Sequence, residues 1–190
     1  MDAIKICKLQ WLVLVPLVAV LLVGCGYTKL LRPSVLKQLN PDVVALVNEL
    51  PEVDHPNEAI LGRLFVHGGL THADVGDDGV MRAAIRVPLQ EYIWKPAIIV
   101  MPHGGRLQVD ISNDDVDHHM AFMPSDGGRR ILDLPGHTRG RIEINLMEPG
   151  LYWFGCPVAD HAGRGMLGLI VVKGYVPPAA RLDRPPQPQP

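Results

Sequence analysis

From residue 61 onward, short stretches of apolar or alternating apolar and polar residues are separated by clusters of Gly, Pro, Asn and Asp. Stretches of this length between turn residues predict β-strands rather than helices. Seven or eight such strands favour one all-β domain over residues 61–175, a sandwich or barrel. The predicted strands are Arg63–His67, Val80–Pro88, Ala97–Met101, Arg106–Ser112, His118–Met123, Arg141–Leu146, Leu151–Cys156 and Leu167–Val172.

The pattern differs on both sides of this domain. Residues 25–60 are predicted to be a tether with one short helix, since Asn40 is a suitable cap, Pro41 suits the first helical position, and apolar residues recur at helical spacing until Pro51. This helix is either an ordinary core element or a spacer from a membrane. Residues 176–190 are rich in proline and predict a polyproline-prone tail.

Residues 1–24 have the pattern of a signal peptide. Lys5 and Lys8 precede an apolar run from Trp11 to Val23, which is shorter than the roughly 18 residues of a membrane-spanning helix. The run ends in Leu-Val-Gly-Cys25, which resembles the bacterial lipobox. We therefore expect a lipid on Cys25 and a lipid-anchored protein on the periplasmic or extracytoplasmic face of a bacterial cell envelope. An ordinary signal peptide or an uncleaved anchor is the alternative.

Charge and cysteine content limit the partners and the chemistry that can be expected of this protein. The formal charge is -2 and no basic cluster interleaved with aromatic residues occurs, so nucleic acid is not an expected partner. Of the three cysteines, Cys7 would leave with the signal peptide and Cys25 would carry lipid. Cys156 would then be the only thiol of the mature protein, where no internal disulfide could form. A lone thiol in an oxidising compartment needs protection, and metal coordination provides it.

One loop offers three metal ligands at equal spacing. Cys156, His161 and Met166 are each five residues apart, after an aromatic strand and before an apolar one. Thiolate, imidazole and thioether are soft or borderline ligands that copper prefers, and a blue-copper site adds one more histidine. The pair His118-His119 can supply it. The pattern favours a one-electron carrier over an enzyme with a substrate pocket.

These residues and their surroundings resemble the cupredoxins over residues 92–173. The Cys-x4-His-x4-Met spacing is most similar to that of rusticyanin and auracyanin, and the runs Leu134-Pro-Gly-x-Thr138 and Pro149-Gly-x-Tyr152 are similar to those that precede the copper cysteine. The resemblance implies a Greek-key β-sandwich with one type 1 copper ion that cycles between Cu(I) and Cu(II).

The resemblance also bears on the choice between the two histidines. In cupredoxins this ligand commonly lies six residues after an Asn or Thr and five before a proline, and both Asn113 and Pro124 then select His119. His118 remains the alternative. The implied ligands are His119, Cys156, His161 and an axial Met166. Many relatives have a small polar residue after this histidine, whereas this chain has Met120, so the hydrogen bonds to the cysteine are left open.

The implied function is electron transfer by a monomer, without catalysis. The expected partners are a c-type cytochrome, a quinoprotein dehydrogenase or a terminal oxidase. The sequence lacks the second loop cysteine of a dinuclear copper centre and the His-x-His pairs of multicopper oxidases and copper nitrite reductases. A copper delivery, storage or sensing module is the alternative. The nearby acidic residues are predicted to form a solvated turn rather than a calcium-binding loop; they are Asp114, Asp115 and Asp117.

Overall fold

The computed structural model describes residues 41, 45–46 and 62–174, and its main feature is a pair of β-sheets. A short π-helix, Leu64–Gly68, precedes ten strands. The strands are β1 (Leu70–His72), β2 (Asp74–Val75), β3 (Met81–Val87), β4 (Ile98–Met101), β5 (Gly105–Asn113), β6 (His119–Ser125), β7 (Gly128–Leu134), β8 (Arg139–Leu146), β9 (Gly150–Gly155) and β10 (Leu167–Val172). One sheet has the order β1-β4-β10-β9-β6-β7 and the other β2-β3-β5-β8.

The predicted all-β sandwich is confirmed, with some differences in its elements. The stretch Arg63–His67, predicted as a strand, is helical throughout, because Leu64, Phe65 and Gly68 are buried at helical rather than alternate spacing. The additional strands β1 and β2 are short and mostly exposed. Strand β7 was also missed, because it is an edge strand with little buried apolar surface. Such strands carry a weak sequence signal.

The core lies between the two sheets, and buried residues also cover the outer face of the central strands of the larger sheet. In β5 every second residue is buried from Leu107 to Asn113, as expected for a strand with one face on the core. All residues of β4 and β10 are buried, so both faces of these central strands are covered. Such strands appear in a sequence as continuous apolar runs.

The sheet order places two strand ends side by side. Strand β6 begins with His119, and the antiparallel strand β9 ends just before Cys156. The two strands are neighbours and pair through Phe122 and Gly155. Strand β10 returns from the same end, directly after Met166. One end of the sandwich therefore carries the start of β6 and the whole loop between β9 and β10.

The segments outside the sandwich are described only in part. Pro41, Ala45 and Leu46 are helical, and Leu46 is buried as a member of the core cluster. The rest of the predicted tether, the signal peptide with Cys25, and the tail from 176 to 190 lie outside the described residues, so these domain bounds stay predictions. Within the described part of the chain, no helix has the length and apolar character needed to cross a membrane.

We expect Gly168→Ala to lower the free energy of unfolding by about 1–3 kcal/mol, as overpacking a core typically does. A Cβ atom at Gly168 would lie 2.1 Å from the ring of Phe154, two residues before Cys156. Chemical denaturation measures the loss. In the double variant with Phe154→Leu, the added methyl group should cost less than in the wild-type background, because the ring is gone. Equal costs in both backgrounds would contradict this account.

Candidate metal centre

Three buried donor groups meet at the end of the sandwich just described. The Nδ1 atoms of His119 and His161 are 3.2 Å apart, and the Sγ atom of Cys156 lies 3.4 Å from Nδ1 of His161 and 4.0 Å from Nδ1 of His119. The exposed fractions of the three residues are 0%, 7% and 1% for His119, His161 and Cys156. The sequence predicted these residues as ligands, and the structure brings them together.

The loop between β9 and β10 is closed by its own backbone. The amide of Cys156 donates to the carbonyl of Met166, and the amide of Met166 donates to the carbonyl of His161. A turn from Val158 to His161 and another from Asp160 to Arg164 fill the space between them. Met166 is fully buried. The backbone therefore joins the three residues that the sequence singled out, independently of any metal.

The two adjacent histidines have different surroundings: His118 immediately precedes β6 and is exposed, whereas His119 is the first residue of β6 and is buried. Nε2 of His118 lies 2.5 Å from a carboxylate oxygen of Asp133, and both side chains are about half exposed. His119 instead points into the core beside the thiol. The geometry thus favours His119 over His118, although its role as a ligand stays a prediction.

A backbone amide provides the hydrogen bond to the cysteine sulfur that the side chain of Met120 cannot provide. The amide of Met120 donates a hydrogen bond to Sγ of Cys156 at 3.3 Å. This donor does not depend on the side chain, so a methionine serves here as well as a small polar residue. Burial raises the pKa of the Cys156 thiol, whereas the amides of Met120 and Val158 lower it. Because burial prevails, a bound cation is needed to keep this sulfur as a thiolate at neutral pH.

Asn113 anchors the loop that leads into His119. Its side-chain amide donates to the carbonyls of Asp117, Leu134 and Pro135 at 2.8–3.1 Å, and its oxygen accepts the amide of Asp115 at 3.0 Å. Asn113 is 1% exposed, and both its amide nitrogen and its side-chain oxygen are hydrogen-bonded. Asn113 thus fixes the 114–118 loop against the β7–β8 connection. This is a physical reason for an asparagine six residues before the histidine.

The same loop shows that the expected solvated acidic turn was partly wrong. Asp115 is 1% exposed, and its Oδ2 atom lies 3.7 Å from Nε2 of His119. Burial raises the pKa of Asp115, but the nearby backbone amides of Val116, Gln90 and Asp117 and the charge interaction with His119 outweigh it, and the net pKa is lowered. The sequence gave no signal of this burial, because the three nearby aspartates have the same polar character.

Tyr92 is a second residue that sequence reasoning missed. Its ring centroid lies 4.8 Å from that of His161, and its hydroxyl donates to a carboxylate oxygen of Asp117 at 3.0 Å. The guanidinium of Arg164 lies 4.7 Å from the centroid of the same ring, and it also pairs with Asp160. Tyr92 thus covers His161 at the surface. No motif marks it, because it comes from a loop distant in sequence from both ligand segments.

The three donors fit one metal ion. With zinc-like bonds of about 2.0 Å to nitrogen and about 2.3 Å to sulfur at angles near 110°, the nitrogens would be roughly 3.3 Å apart and sulfur and nitrogen roughly 3.5 Å apart. Two of the three separations agree closely, and the third, between Cys156 and His119, is longer at 4.0 Å. One thiolate with two imidazoles, beside a buried thioether, is a donor set typical of copper.

A protein-family model described as PQQ-associated (MSMEG_3727) matches residues 38–190. No curated protein sequence matches the chain.

Three solved structures are similar to parts of this chain at low sequence identity. Reduced auracyanin from Roseiflexus castenholzii is 15% identical, with a TM-score of 0.46, over 54% of this chain and 99% of that one. The metal-binding domain of the Cu(I)-exporting ATPase CopA from Streptococcus pneumoniae is 15% identical, with a TM-score of 0.45, over 56% and 98%. A purple cupredoxin from Nitrosopumilus maritimus is 24% identical, with a TM-score of 0.35, over 48% and 99%.

We expect the metal-free protein to lose stability as the pH falls below about 6.5, the ordinary pKa of histidine. Burial lowers the pKa of both His119 and His161; His161 lowers that of His119 further, and Asp115 and Asp160 oppose the shifts. The unfolded chain then binds more protons below this pH, so each histidine removes up to about 1.4 kcal/mol per pH unit until it is protonated in the folded state.

Urea denaturation of the metal-free protein between pH 7.5 and 5 measures this slope, above the range in which carboxylates titrate. His161→Gln should reduce the slope. His72→Gln is the matched control, because His72 is exposed and should leave the slope unchanged. A stability that is constant between pH 7.5 and 5 would contradict the burial of neutral imidazoles.

Proposed function

Since the chain belongs to the MSMEG_3727 PQQ-associated family, we propose that it binds one copper ion through His119, Cys156 and His161 and carries single electrons. The observation that supports this most directly is the meeting of one thiol and two imidazoles in a buried site. Met166 is the proposed axial ligand, since it is fully buried and its backbone pairs with those of Cys156 and His161. The protein is a carrier rather than an enzyme.

Bound copper supplies a reversible one-electron couple between Cu(I) and Cu(II). The residues of the chain keep that couple fast by holding the donors in one arrangement. His119 and Cys156 are fixed by adjacent strands, and the Cys156–Met166 backbone pair fixes the loop. Burial excludes water from the donors, and the amide of Met120 offsets part of the charge on the sulfur. Little rearrangement is then needed between the two oxidation states.

Electrons would enter and leave through His161. It is the most exposed of the three donors at 7%, and the half-buried ring of Tyr92 lies over it. A partner that contacts Tyr92 and the ligand loop comes close to the site through a small area. Small contacts are typical of transient redox encounters. This end of the sandwich is therefore the proposed docking face.

The family description suggests the kind of partner. PQQ is the quinone cofactor of the quinoprotein dehydrogenases, so we propose such a dehydrogenase as the electron donor and a c-type cytochrome or terminal oxidase as the acceptor. The lipobox-like segment before Cys25 supports a lipid-anchored protein on the outer side of a bacterial membrane. A monomer suits this role, because one subunit provides all the proposed ligands.

We expect Cys156→Ser to abolish the intense visible colour of the copper-loaded protein, because that colour arises from the thiolate–copper bond. Met166→Leu should keep the colour and raise the reduction potential, since it removes a weak donor that favours Cu(II). Absorption spectra and redox titrations measure both effects. Met147→Leu is the matched control, because Met147 is 55% exposed and should leave the potential unchanged.

The two histidines provide a second comparison on the same samples. His119→Gln should lose the colour, whereas His118→Gln should keep it because His118 faces solvent and Asp133. A coloured Cys156→Ser or His119→Gln protein would overturn the site assignment. Ready transfer of Cu(I) to a copper-free partner, without a reversible potential, would instead favour copper delivery.

A further inference from the structure

Asp115 presents a buried carboxylate to the back of His119. Its Oδ1 atom accepts the amide of Val116 at 2.7 Å, but its Oδ2 atom has no hydrogen-bond partner. Nε2 of His119 is also buried and without a partner, and these two atoms lie 3.7 Å apart. Buried polar atoms are rarely left unpaired. Two such atoms that face each other, a carboxylate oxygen and an imidazole nitrogen, form a complementary acceptor and donor.

The other face of the same imidazole determines where its proton lies. Nδ1 of His119 points toward Cys156 and His161, at 4.0 and 3.2 Å. A nitrogen that binds a metal cannot carry a proton, so the proton of the neutral ring must lie on Nε2. Nε2 is the atom that faces Asp115. The carboxylate therefore lies where it can accept the one proton that the ring retains.

The hydrogen bond that Asp115 makes within the loop leaves one of its carboxylate oxygens unpaired. The loop uses Oδ1 of Asp115 as the acceptor for the Val116 amide, and an asparagine oxygen would serve equally. Backbone amides stabilise the carboxylate, but its buried Oδ2 atom still lacks a hydrogen-bond donor, which is costly. The neutral imidazole supplies the donor, and a metal ion on the far side of the ring would supply the positive charge.

We propose that Asp115 is a positioning residue for the metal centre, whose carboxylate holds His119 in the Nε2–H tautomer and whose charge favours the oxidised metal. This inference rests on the proposed function. The 3.7 Å separation closes to a hydrogen bond with a movement of about 0.5–1 Å. Carboxylate–histidine–metal arrangements of this kind orient the ligand and raise its basicity.

The first test needs no copper. In ¹⁵N NMR spectra of the metal-free full-length protein at pH 7.5, His119 should show one protonated nitrogen, Nε2. In Asp115→Asn, which keeps an acceptor for Val116 but places an amide near His119, this preference should be lost. Asp114→Asn is the matched control, because the side chain of Asp114 is 42% exposed and pairs with Arg86 at 3.5 Å. His119 protonated on Nδ1 in the wild-type protein would overturn the proposal, even if the Asn variant fails to fold.

The second test uses the copper-loaded protein. Asp115→Asn removes the buried charge and should weaken Cu(II) binding more than Cu(I) binding. The ratio of the Cu(II) to the Cu(I) dissociation constant should rise at least tenfold, which corresponds to a rise of about 59 mV in the reduction potential. Loss of an outer ligand partner typically weakens metal binding by about 10–100-fold. Asp114→Asn should change neither quantity appreciably. Equal shifts in both variants would overturn the proposal, because the effect would then be one of general charge.

The two tests separate this inference from the proposed function. A wild-type protein that binds no copper, yet has the Nε2–H tautomer lost in Asp115→Asn, would contradict the electron-carrier proposal and leave the pairing of Asp115 with His119 supported. A blue wild-type protein whose His119 tautomer and potential are both insensitive to Asp115→Asn would support the electron-carrier proposal and contradict the proposed role of Asp115.

Discussion

The antiparallel pairing of β6 with β9 is the constraint on which the metal centre depends. It fixes the first residue of one strand, His119, beside the residue that follows the other, Cys156. These residues are far apart in sequence, so no local interaction could bring their side chains to 4.0 Å. The burial of β4 and β10 on both faces keeps the larger sheet in place. The donor geometry is thus a property of the whole sandwich.

Around this pairing, backbone groups and buried side chains limit the freedom of each donor. The loop from Cys156 to Met166 closes on itself, and the amide of Met120 reaches the sulfur across the strands. Asn113 ties the segment before His119 to the β7–β8 connection by four hydrogen bonds, two to each side. None of these contacts requires a metal. A preorganised site of this kind suits a couple in which the two oxidation states share one geometry.

The sequence predicted the parts of the site that are encoded locally. Cys156, His161 and Met166 lie on one loop, so their spacing was visible directly, and the markers Asn113 and Pro124 distinguished His119 from His118. Tyr92 and the burial of Asp115 could not be predicted, because both depend on which loops meet at the end of the sandwich. The edge strand β7 and the π-helix from Leu64 were missed for a different reason, which is the burial pattern within each element. Their residues do not alternate in burial as a half-buried strand does.

The most direct test of the account is the visible and electron paramagnetic resonance spectrum of the protein with one equivalent of Cu(II). A His2Cys copper site should give an intense thiolate-to-copper absorption band and a narrow parallel hyperfine splitting. A pale protein with the wide splitting of a tetragonal copper site would contradict the account. In that case His119, Cys156 and His161 would not bind one copper ion together, however close they lie in the folded chain.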